Sequence, residues 1–345
     1  MQRPEIVRDA DLASLSTFRL PARAAELVVI RHPEQLAALP PAERGELVLG
    51  GGSNTVFLAD YPGRVLLNRL RGIHFENSGD DVLVTAAAGE DWHGLVRACL
   101  DRGLFGLENL ILIPGSVGAA PMQNIGAYGV ELADVFDQLQ AWDRETGTLT
   151  EMNREACRFG YRDSRFKSSD LGRFLITAVT LRLSRTFRPR IEYRSLAQHL
   201  NQRSIDQPGP RQLAAAVMRL RRHRLPDPAR LPNAGSFFKN PIVDAAMAQA
   251  LESDHPGLPQ WVQPDGRVKI AAGHLIEQLG WKGRSIGDAG VYEHHALVLV
   301  NRGQARAQDL QRLIGEIMDS VVKKFGLDLE PEPALVGLDD LRGSG

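Results

Sequence analysis

The sequence predicts an α+β fold with more than one domain. At about 100–200 residues per domain, 345 residues suffice for two or three domains. The first half carries many short β-branched or alternating runs and few helical patterns, whereas the chain after residue 226 alternates between helices and strands. Because regular crossover helices do not separate the strands of the first half, a doubly wound parallel sheet is disfavoured.

Short runs bounded by Gly, Pro or Asn predict the strands of the first half. These runs are ELVVI (26–30), ELVLG (46–50), RVLLN (64–68), DVLVTAAA (81–88), VFDQLQAWD (135–143), GTLTEM (147–152) and RFLITAVTLRLS (173–184). Within this part of the chain, DWHGLVRACLDRG (91–103) predicts a helix that ends at Gly103.

Residues 182–230 differ in composition, because arginines there far outnumber acids. Within this segment, PRQLAAAVMRLRRHRLP (210–226) predicts a helix that begins at Pro210 and stops at Pro226. The proline-rich stretch 225–233 is typical of a linker into another domain. Beyond it we expect an α/β module with a helix at 243–252, a strand and a helix within 268–280, the strand HALVLVN (295–301) and a long amphipathic helix at 307–325.

Composition and charge favour an ordinary soluble protein. The chain is 43% hydrophobic and 24% charged with a net charge of −1, which gives no global attraction to nucleic acid or membranes. The longest apolar runs are far below the roughly 18 residues of a membrane span, and the N-terminus lacks a signal-peptide pattern. Cys99 and Cys157 form no C-x-x-C pair, as expected in a reducing compartment. We therefore expect a soluble cytoplasmic protein without a membrane or nucleic-acid partner. We also expect a monomer, although none of these features decides the oligomeric state.

A glycine loop, LGGGSN (49–54), directly follows a predicted strand. The three glycines lack Cβ atoms, so consecutive backbone N–H groups can converge on an anion, and Ser53 and Asn54 add side-chain donors. This pattern suits a pyrophosphate, although a tight glycine turn explains it equally well. It matches neither the G-x-G-x-x-G pattern of a dinucleotide fold nor a Walker loop.

A second glycine-rich segment, GLENLILIPGSVGAAPMQNIGAYG (106–129), lies between the two sets of predicted strands. Backbone with such small side chains can lie flat against a planar ligand and direct its amides at the ligand's heteroatoms. A close-packed glycine crossing between domains is the structural alternative. Taken with the glycine loop, the segment favours a shared dinucleotide with a flat ring system.

Two motifs carry side chains that can act on a substrate. Arg162, in FGYRDSRFK (159–167), can clamp a carboxylate with two hydrogen bonds, or can form a surface ion pair with Asp163. Ser236, in NAGSFFKNP (233–241), lacks the G-x-S-x-G pattern of a hydrolase nucleophile, so it fits a hydrogen-bond donor or a proton source better. An ordinary serine at the start of a strand is the alternative.

A third motif, LDLEPEP (327–333), holds Glu332 between prolines in a stiff, extended segment, for which a solvated spacer is the alternative. The histidines form no metal set. His294 and His295 are adjacent, so in a strand they would point to opposite faces, and no H-x-x-x-H spacing occurs. We therefore predict no metal site.

The motifs occur in one characteristic order, through which the chain closely resembles the UDP-N-acetylenolpyruvylglucosamine reductase family of flavoenzymes. LGGGSN, GLENL, IPGSVGAAPMQNIGAYG, CRFGYRDSRFK, NAGSFFKNP and LEPE are very specific together, and the similarity extends from about Leu15 to about Gly337. This resemblance implies FAD as the cofactor, NADPH as the co-substrate, and a nucleotide-sugar enolpyruvyl ether as the substrate in peptidoglycan precursor synthesis.

The resemblance also implies a fold, namely a two-subdomain FAD-binding fold of the vanillyl-alcohol-oxidase type followed by a C-terminal α/β substrate domain. Residues 1–75, joined by 327–345, would form the first flavin-binding subdomain. Residues 76–225 would form the second subdomain, and residues 226–326 would form the substrate-binding domain.

By motif, the resemblance implies three groups of site residues. The family's catalytic arginine, serine and glutamate match Arg162, Ser236 and Glu332. The residues that would hold FAD are Gly50, Gly51, Gly52, Ser53, Asn54, Ile113, Pro114, Gly115, Ser116, Val117, Gly118, Gln123, Asn124 and Gly126. Those that would contact the substrate are Tyr193, Arg224, Asn240, Trp261 and His295.

The family reaction transfers a hydride from flavin N5 to C3 of the enolpyruvyl group. The resemblance implies that Arg162 and Glu332 stabilise the negative charge that then develops on C2 and the carboxylate. Ser236 would donate the proton to C2, because so strong a base needs no strong acid.

Four positions depart from the family pattern. Arg224 stands where lysine is usual, Trp261 where a tyrosine faces the substrate, His295 where glutamine occurs, and Ala334 where an arginine follows the glutamate. Arg224 can still bind phosphate, and Trp261 can stack on a ring but lacks a hydroxyl. The departures therefore concern the binding of the nucleotide and leave the reaction intact.

Two other functions stay open on the sequence. A flavin oxidase of the same superfamily would act on an alcohol or a sugar lactone, although the histidine that often tethers FAD near the glycine loop is missing. A nucleic-acid-binding protein would use residues 182–230, but few aromatic residues lie among its arginines.

Overall fold

The computed structural model describes residues 3–42 and 45–337. These residues divide into two compact units, and the chain passes from one unit to the other several times. Of the described residues, the first unit comprises 3–10, 24–42, 45–51 and 62–223, and the second comprises 11–23, 52–61 and 224–337. The division into three domains stays a prediction, and its last residues, 338–345, lie outside the described ranges.

Strands and helices follow one another along the chain in mixed order. The strands are β1 (Glu5–Asp11), β2 (Arg23–Ile30), β3 (Leu47–Leu49), β4 (Thr55–Phe57), β5 (Tyr61–Asn68), β6 (Ile73–Ser78), β7 (Asp81–Ala87), β8 (Gly126–Ala127), β9 (Val130–Glu131), β10 (Phe136–Asp143), β11 (Thr148–Asn153), β12 (Phe174–Ser184), β13 (Asn233–Ser236), β14 (Ile242–Val243), β15 (Gln260–Val262), β16 (Val268–Ile270), β17 (Ser285–Ile286), β18 (Ala289–Val291), β19 (Val298–Asn301) and β20 (Ala334–Val336). The α-helices are α1 (Trp92–Asp101), α2 (Arg154–Cys157), α3 (Arg194–Asn201), α4 (Pro210–Arg224), α5 (Ala245–Asp254), α6 (Ala272–Gln278) and α7 (Ala307–Phe325).

The first unit is built on two sheets of the described chain. One has the strand order β1-β2-β5-β3, in which β3 and β5 run parallel. The other has the order β11-β10-β12-β7-β6, and its neighbours are antiparallel. In β7, Val82, Val84 and Ala86 are buried while the residues between them are only partly buried. This alternation shows that one face of the second sheet covers the core.

Helix α1 packs against that core and positions the chain that follows it. Asp91 caps the helix by accepting a hydrogen bond from the Gly94 N–H at 2.6 Å, and Gly103 ends it with φ of +67°. Trp92 is buried, and its Nε1 donates to the Leu110 carbonyl at 2.9 Å. This hydrogen bond ties the start of the second glycine-rich segment to the helix.

The second unit combines short sheets with longer helices. Its strands pair in the orders β13-β19-β18-β17 and β14-β16-β15, and β20 lies parallel to β4. Helix α7 packs on β17 and β18. Its buried side chains recur every three or four residues, as an amphipathic helix requires, at Leu310, Leu313, Ile314, Ile317 and Val321.

Most of the secondary structure predicted from the sequence is confirmed. The helices expected at 91–103, 210–226, 243–252 and 307–325 are α1, α4, α5 and α7, with ends shifted by a few residues. The strand expected at 295–301 is wrong in its first part, because β19 begins only at Val298. His295 lies in a turn, in which its carbonyl accepts from the Val298 N–H at 3.0 Å, so the two adjacent histidines are not on opposite faces of a strand.

The proline-rich stretch 225–233 is a fixed part of the second unit and not a free linker. Asn233 is buried, and its Nδ2 donates to the carbonyls of Pro226 at 3.2 Å and Leu231 at 2.8 Å. The Thr17 hydroxyl donates to the Asn233 carbonyl at 2.6 Å. The stretch does begin the last part of the second unit, as expected of a linker into another domain, but a buried amide holds both of its ends together.

Both cysteines are buried and form no disulfide. Burial raises the pKa of the Cys99 and Cys157 thiols to about 12, so both are neutral thiols at physiological pH. Among the helices of the described chain, none has the length and the apolar character needed to cross a bilayer.

Candidate functional site

The glycine loop after β3 lies against the second glycine-rich segment, main chain to main chain. A Cβ atom on Gly51 would lie 2.8 Å from the Gly115 Cα and 3.1 Å from the Ser116 nitrogen. A Cβ on Gly50 would overlap the Ser116 hydroxyl. The first unit thus brings together two segments that are far apart in the sequence, and the close approach requires glycine at both positions.

The second glycine-rich segment is fixed by backbone hydrogen bonds to the start of α1. The Trp92 N–H donates to the Gly115 carbonyl at 3.0 Å, and the Gly118 N–H donates to the Ala88 carbonyl at 2.8 Å. A Cβ on Gly118 would overlap the Ala88 Cβ. Val117 between them is fully buried. The segment is therefore rigid backbone with little side-chain bulk.

One hydroxyl in this cradle indicates a missing ligand. The Ser116 Oγ is buried and, within the described residues, has no hydrogen-bond partner. A buried polar atom without a partner is rare in folded proteins and requires an explanation. An oxygen or nitrogen of a bound cofactor, lying on backbone without Cβ atoms, would satisfy this hydroxyl. The residues present thus fit a dinucleotide that is held mainly through main-chain groups.

The remainder of the glycine loop belongs to the second unit. Gly52 has φ of +62°, and its carbonyl accepts from the Thr17 N–H at 3.0 Å. Ser53 is half-buried, and the Asn54 Nδ2 donates to the Glu332 carbonyl at 3.3 Å. The predicted cofactor residues of the loop are thus divided between the units at Gly51 and Gly52.

Arg162 contacts residues 123–126, which are another part of the predicted flavin-binding region. The Arg162 Nη2 donates to the Gly126 carbonyl at 2.8 Å, and its guanidinium lies 5.6 Å from the centre of the Tyr161 ring. Arg162 itself has φ of +55°, which non-glycine residues rarely adopt. The first unit therefore places the predicted catalytic arginine directly on the predicted flavin-binding segment.

Asn124 serves the fold with its side chain. Its Nδ2 donates to the Glu131 carboxylate at 2.7 Å and to the Gly160 carbonyl at 3.2 Å, and its Oδ1 accepts from the Ala133 N–H at 3.0 Å. The residue is 1% exposed. Since the protein uses these hydrogen bonds, Asn124 shapes the segment around Gly126, and any contact with a ligand is left to its backbone.

Arg221 is a site residue that the sequence reasoning missed. Its Nε donates to the Leu112 carbonyl at 3.2 Å. Burial lowers the pKa of its guanidinium, and the positive charge of Arg162 lowers it further. Because Arg221 is one of many arginines in residues 182–230, the sequence offered only its place near the end of a predicted helix as a signal.

In the second unit, Ser236 and Glu332 lie on two paired segments. The Glu332 N–H donates to the Phe237 carbonyl at 2.8 Å, and the Lys239 N–H donates to the Glu330 carbonyl at 2.9 Å. Phe237 is fully buried, so the pairing is anchored in the core, whereas Ser236 is half-buried. The structure thus places Ser236 and Glu332 on neighbouring backbone segments of this unit, with Glu332 opposite Phe237.

The Lys239 ammonium forms an ion pair with Glu330, whose side chain is 65% exposed. The other predicted substrate residues of the second unit are spread over its surface. Trp261, 47% exposed, has the Lys269 Nζ at 5.9 Å from its ring centre. The Asn240 Oδ1 accepts from the Ala272 N–H at 3.0 Å, at the start of α6.

His295 is held as a neutral imidazole. Its Nδ1 accepts from the Leu297 N–H at 3.3 Å. Burial lowers its pKa to about 4, and the charges of Arg224 and Lys282 lower it further. Near neutral pH the ring therefore offers an Nε2–H donor and no positive charge.

Tyr193 lies in the first unit, where its ring packs edge-to-face on Tyr128 at 5.4 Å between centres, and it is 44% exposed. Among the described residues, no group of His, Cys, Asp and Glu side chains is arranged to hold a metal ion.

A rigid backbone cradle with an unpartnered hydroxyl, and an arginine bound to the Gly126 carbonyl, fit a protein of the FAD-binding class. In agreement, residues 36–153 match the family model described as an FAD binding domain. Residues 227–336 match the model of the UDP-N-acetylenolpyruvoylglucosamine reductase C-terminal domain.

Curated relatives and a solved structure identify the family. The chain is 51% identical to the UDP-N-acetylenolpyruvoylglucosamine reductase of Azoarcus sp. (strain BH72), with 96% of this chain and 98% of the relative covered. It is 50% identical to the reductase of Bordetella pertussis, with 94% of each chain covered. The crystal structure of the reductase from Thermus caldophilus superposes with a TM-score of 0.66 at 28% identity, and covers 97% of this chain and 100% of its own. The chain belongs to the UDP-N-acetylenolpyruvoylglucosamine reductase family.

This membership confirms the predicted fold class in that the chain is α+β and has an FAD-binding domain followed by a C-terminal domain. The matched FAD-binding region contains the glycine loop and the second glycine-rich segment. The matched C-terminal region contains Ser236 and Glu332, whereas Arg162 lies between the two matched regions.

Proposed function

We propose that the protein is an FAD-dependent oxidoreductase that uses NADPH to reduce UDP-N-acetylglucosamine enolpyruvate to UDP-N-acetylmuramate, a step in peptidoglycan precursor synthesis. The observation that carries the proposal is the unpartnered Ser116 hydroxyl in a backbone cradle, in a chain of this reductase family. We place the activity in the cytoplasm and expect a monomer.

The residues that would hold the cofactor are those of the two glycine-rich segments. Gly50 to Asn54 would bind the pyrophosphate, and Ile113 to Gly118 with Gln123 to Gly126 would contact the ribityl chain and the flavin ring. Bound FAD would supply the chemistry of hydride transfer from NADPH to C3 of the enolpyruvyl group. The close main-chain approach of Gly50 and Gly51 to Gly115 and Ser116 supports this assignment, because it holds the two segments side by side, where both can contact one ligand.

Arg162 would stabilise the negative charge that develops on C2 and on the substrate carboxylate. Its hydrogen bond to the Gly126 carbonyl and its contact with the Tyr161 ring hold the guanidinium in place before the reaction. A donor organised in advance of the charge it stabilises contributes about 10²–10³ in rate.

Ser236 would donate the proton to C2. A carbanion is a strong base, so a positioned hydroxyl is acidic enough to protonate it. Ser236 pairs with Val298 across β13 and β19, and the adjacent Phe237 is buried, so the hydroxyl has a fixed starting point.

Glu332 would act at the substrate carboxylate, either by donating a hydrogen bond in its protonated form or by orienting an arginine. Its backbone is fixed by the Phe237 carbonyl and by the Asn54 amide. This double anchor supports a role in which the position of the carboxyl group matters.

The nucleotide would be recognised by Tyr193, Arg224, Asn240, Trp261 and His295. Arg224 supplies the positive charge for a phosphate, and the exposed Trp261 ring supplies a surface on which a base can stack. His295 would act as a neutral donor, because its pKa of about 4 keeps it uncharged.

The visible absorption spectrum of the purified protein tests the proposal. We expect the peaks of bound oxidised flavin, their loss when NADPH is added under anaerobic conditions, and their return when the enolpyruvyl nucleotide follows. Absence of flavin, or reduced flavin that the nucleotide leaves unchanged, would contradict the proposal. Rapid reoxidation by air alone would indicate a flavin oxidase.

A further inference from the structure

Leu112 has a backbone conformation that leucine rarely adopts. Its φ is +62°, in the left-handed region, where the Cβ atom is crowded by the adjacent carbonyl. Such outliers persist only where the surrounding structure holds them, and they are often found at functional sites. Leu112 directly precedes Ile113 and Pro114, the first residues predicted to contact the flavin.

Two side chains hold this residue by its main chain. The Leu112 N–H donates to the His93 Nδ1 at 3.2 Å. The Leu112 carbonyl accepts from the Arg221 Nε at 3.2 Å. His93 lies in the first turn of α1 and Arg221 in the last turn of α4, so two helices hold a single loop residue from both sides.

The same loop is anchored immediately before and after Leu112. The Ile111 N–H donates to the Glu108 carbonyl at 3.3 Å, and the Gly115 carbonyl accepts from the Trp92 N–H at 3.0 Å. Ile111 is 1% exposed. Between these anchors, the contacts of His93 and Arg221 determine the direction in which residues 113 and 114 leave Leu112.

The surroundings of Arg221 do not favour its positive charge. Burial and the positive charge of Arg162 both act against its guanidinium, and the one favourable charge interaction is with Tyr128. In the described chain no carboxylate forms a salt bridge with Arg221. Arg221 is half-buried, and it therefore brings a positive charge that no carboxylate of the described chain pairs with to the residue preceding the predicted flavin-binding segment.

We propose that His93 is a positioning residue, which holds Leu112 in its left-handed conformation through the lone pair of Nδ1. Through Leu112 it determines the path of residues 113–115, which would face the flavin, and the position of the Arg221 guanidinium. This inference rests on the proposed function, because it concerns the segment that would contact FAD.

The positioning requires an unprotonated Nδ1. Burial lowers the pKa of His93 from 6.5, and the charges of Arg97 on α1 and Arg222 on α4 lower it further, whereas Asp91 opposes them. Protonation would place a second N–H opposite the Leu112 N–H and break the hydrogen bond. The folded state therefore takes up this proton less readily than the unfolded chain, so the contribution of His93 is complete above pH 6.5 and decreases as the pH falls below it.

Release of FAD from the holoenzyme, followed by flavin fluorescence, tests the proposal. His93→Phe keeps the ring and removes the acceptor, and we expect FAD release to become about tenfold faster, together with a changed visible circular dichroism spectrum of the bound flavin. His93→Asn keeps an acceptor that cannot be protonated, and we expect it to retain nearly the wild-type rate. His74→Asn, on the exposed side of β6, is the matched control.

The pH dependence separates positioning from a merely structural effect. In the wild type, FAD release should be constant above about pH 6.5 and should accelerate as the pH falls below it, and in His93→Asn this acceleration should disappear. A wild-type rate and spectrum in His93→Phe, or an unchanged pH profile in His93→Asn, would overturn the proposal. If His93→Phe does not fold, the pH profiles of the wild type and His93→Asn decide. A wild type that binds no FAD would refute the proposed function itself.

Discussion

In the first unit, Gly50 and Gly51 approach Gly115 and Ser116 main chain to main chain, whereas in the second unit Ser236 and Glu332 extend from segments paired through backbone hydrogen bonds. The close approach in the first unit is possible only because Gly50 and Gly51 have no Cβ atoms. In the second unit, by contrast, the backbone pairing is formed by main-chain hydrogen bonds, and the predicted chemistry depends on the side chains of Ser236 and Glu332.

This difference separates binding from chemistry. An added methyl group in the cradle meets backbone that cannot move without breaking other hydrogen bonds, so it should affect the fold and the cofactor. A changed side chain on the paired segments leaves the main-chain hydrogen bonds intact, so it should affect the reaction alone. Substitutions in the two regions can therefore confirm or contradict the division.

Glu332→Gln should give the largest effect. We expect steady-state turnover to fall by about 10²–10³-fold, because a group organised for the developing charge is lost. Flavin content and the thermal midpoint should stay at wild-type values, since the Glu332 N–H still donates to the Phe237 carbonyl.

Glu330→Gln is the matched control for this variant, because its exposed ion pair with Lys239 is worth at most about 1 kcal/mol. Loss of flavin from Glu332→Gln, or an equal loss of turnover in Glu330→Gln, would contradict the separation of binding from chemistry.

Ser236→Ala should follow. We expect FAD binding and the reduction of the flavin by NADPH to be unchanged, and protonation at C2 to slow by at least about 10²-fold. Rapid-mixing absorbance measures the reductive step, and product formation in single turnovers measures the protonation. The exposed Ser253→Ala in α5 is the control, and normal turnover of Ser236→Ala would remove Ser236 from this role.

Gly51→Ala addresses the cradle. Its Cβ would lie 2.8 Å from the Gly115 Cα, closer than real Cβ contacts, so the two segments must separate. Overpacking of this kind costs about 1–3 kcal/mol, and we expect a lower thermal midpoint and reduced flavin content.

Gly209→Ala, whose Cβ would meet its nearest neighbour at an ordinary 3.6 Å, is the control for the cradle variant. A stable Gly51→Ala protein with full flavin content would show that the close approach is not required for binding.

Gly315→Ala should have the smallest effect, and in the opposite direction. Gly315 lies within α7, where an added Cβ meets nothing within 4 Å. Replacing a glycine inside a helix by alanine stabilises it by about 0.5–1 kcal/mol, so we expect a slightly higher midpoint in thermal unfolding. A lower midpoint would mean that the packing around α7 has no room for a methyl group.

Local patterns in the sequence were enough to predict much of the fold. The helices α4 and α7 follow from periodicity and from prolines or glycines at their ends, because those signals act within one or two turns of the chain. The order of the motifs identified the family, and the fold class followed from the family. The glycines at positions 50 and 51 already indicated that the backbone there approaches either a bound anion or another part of the chain.

Only the tertiary structure decided what each of these groups meets. It showed that the two glycine-rich segments lie against each other, that Arg162 donates to the Gly126 carbonyl, and that His93 and Arg221 hold Leu112. It also placed His295, half-buried, in a turn instead of a strand. The physical reason is that burial and partnership depend on groups distant in the chain, whereas helix periodicity and capping depend on neighbours a few residues away.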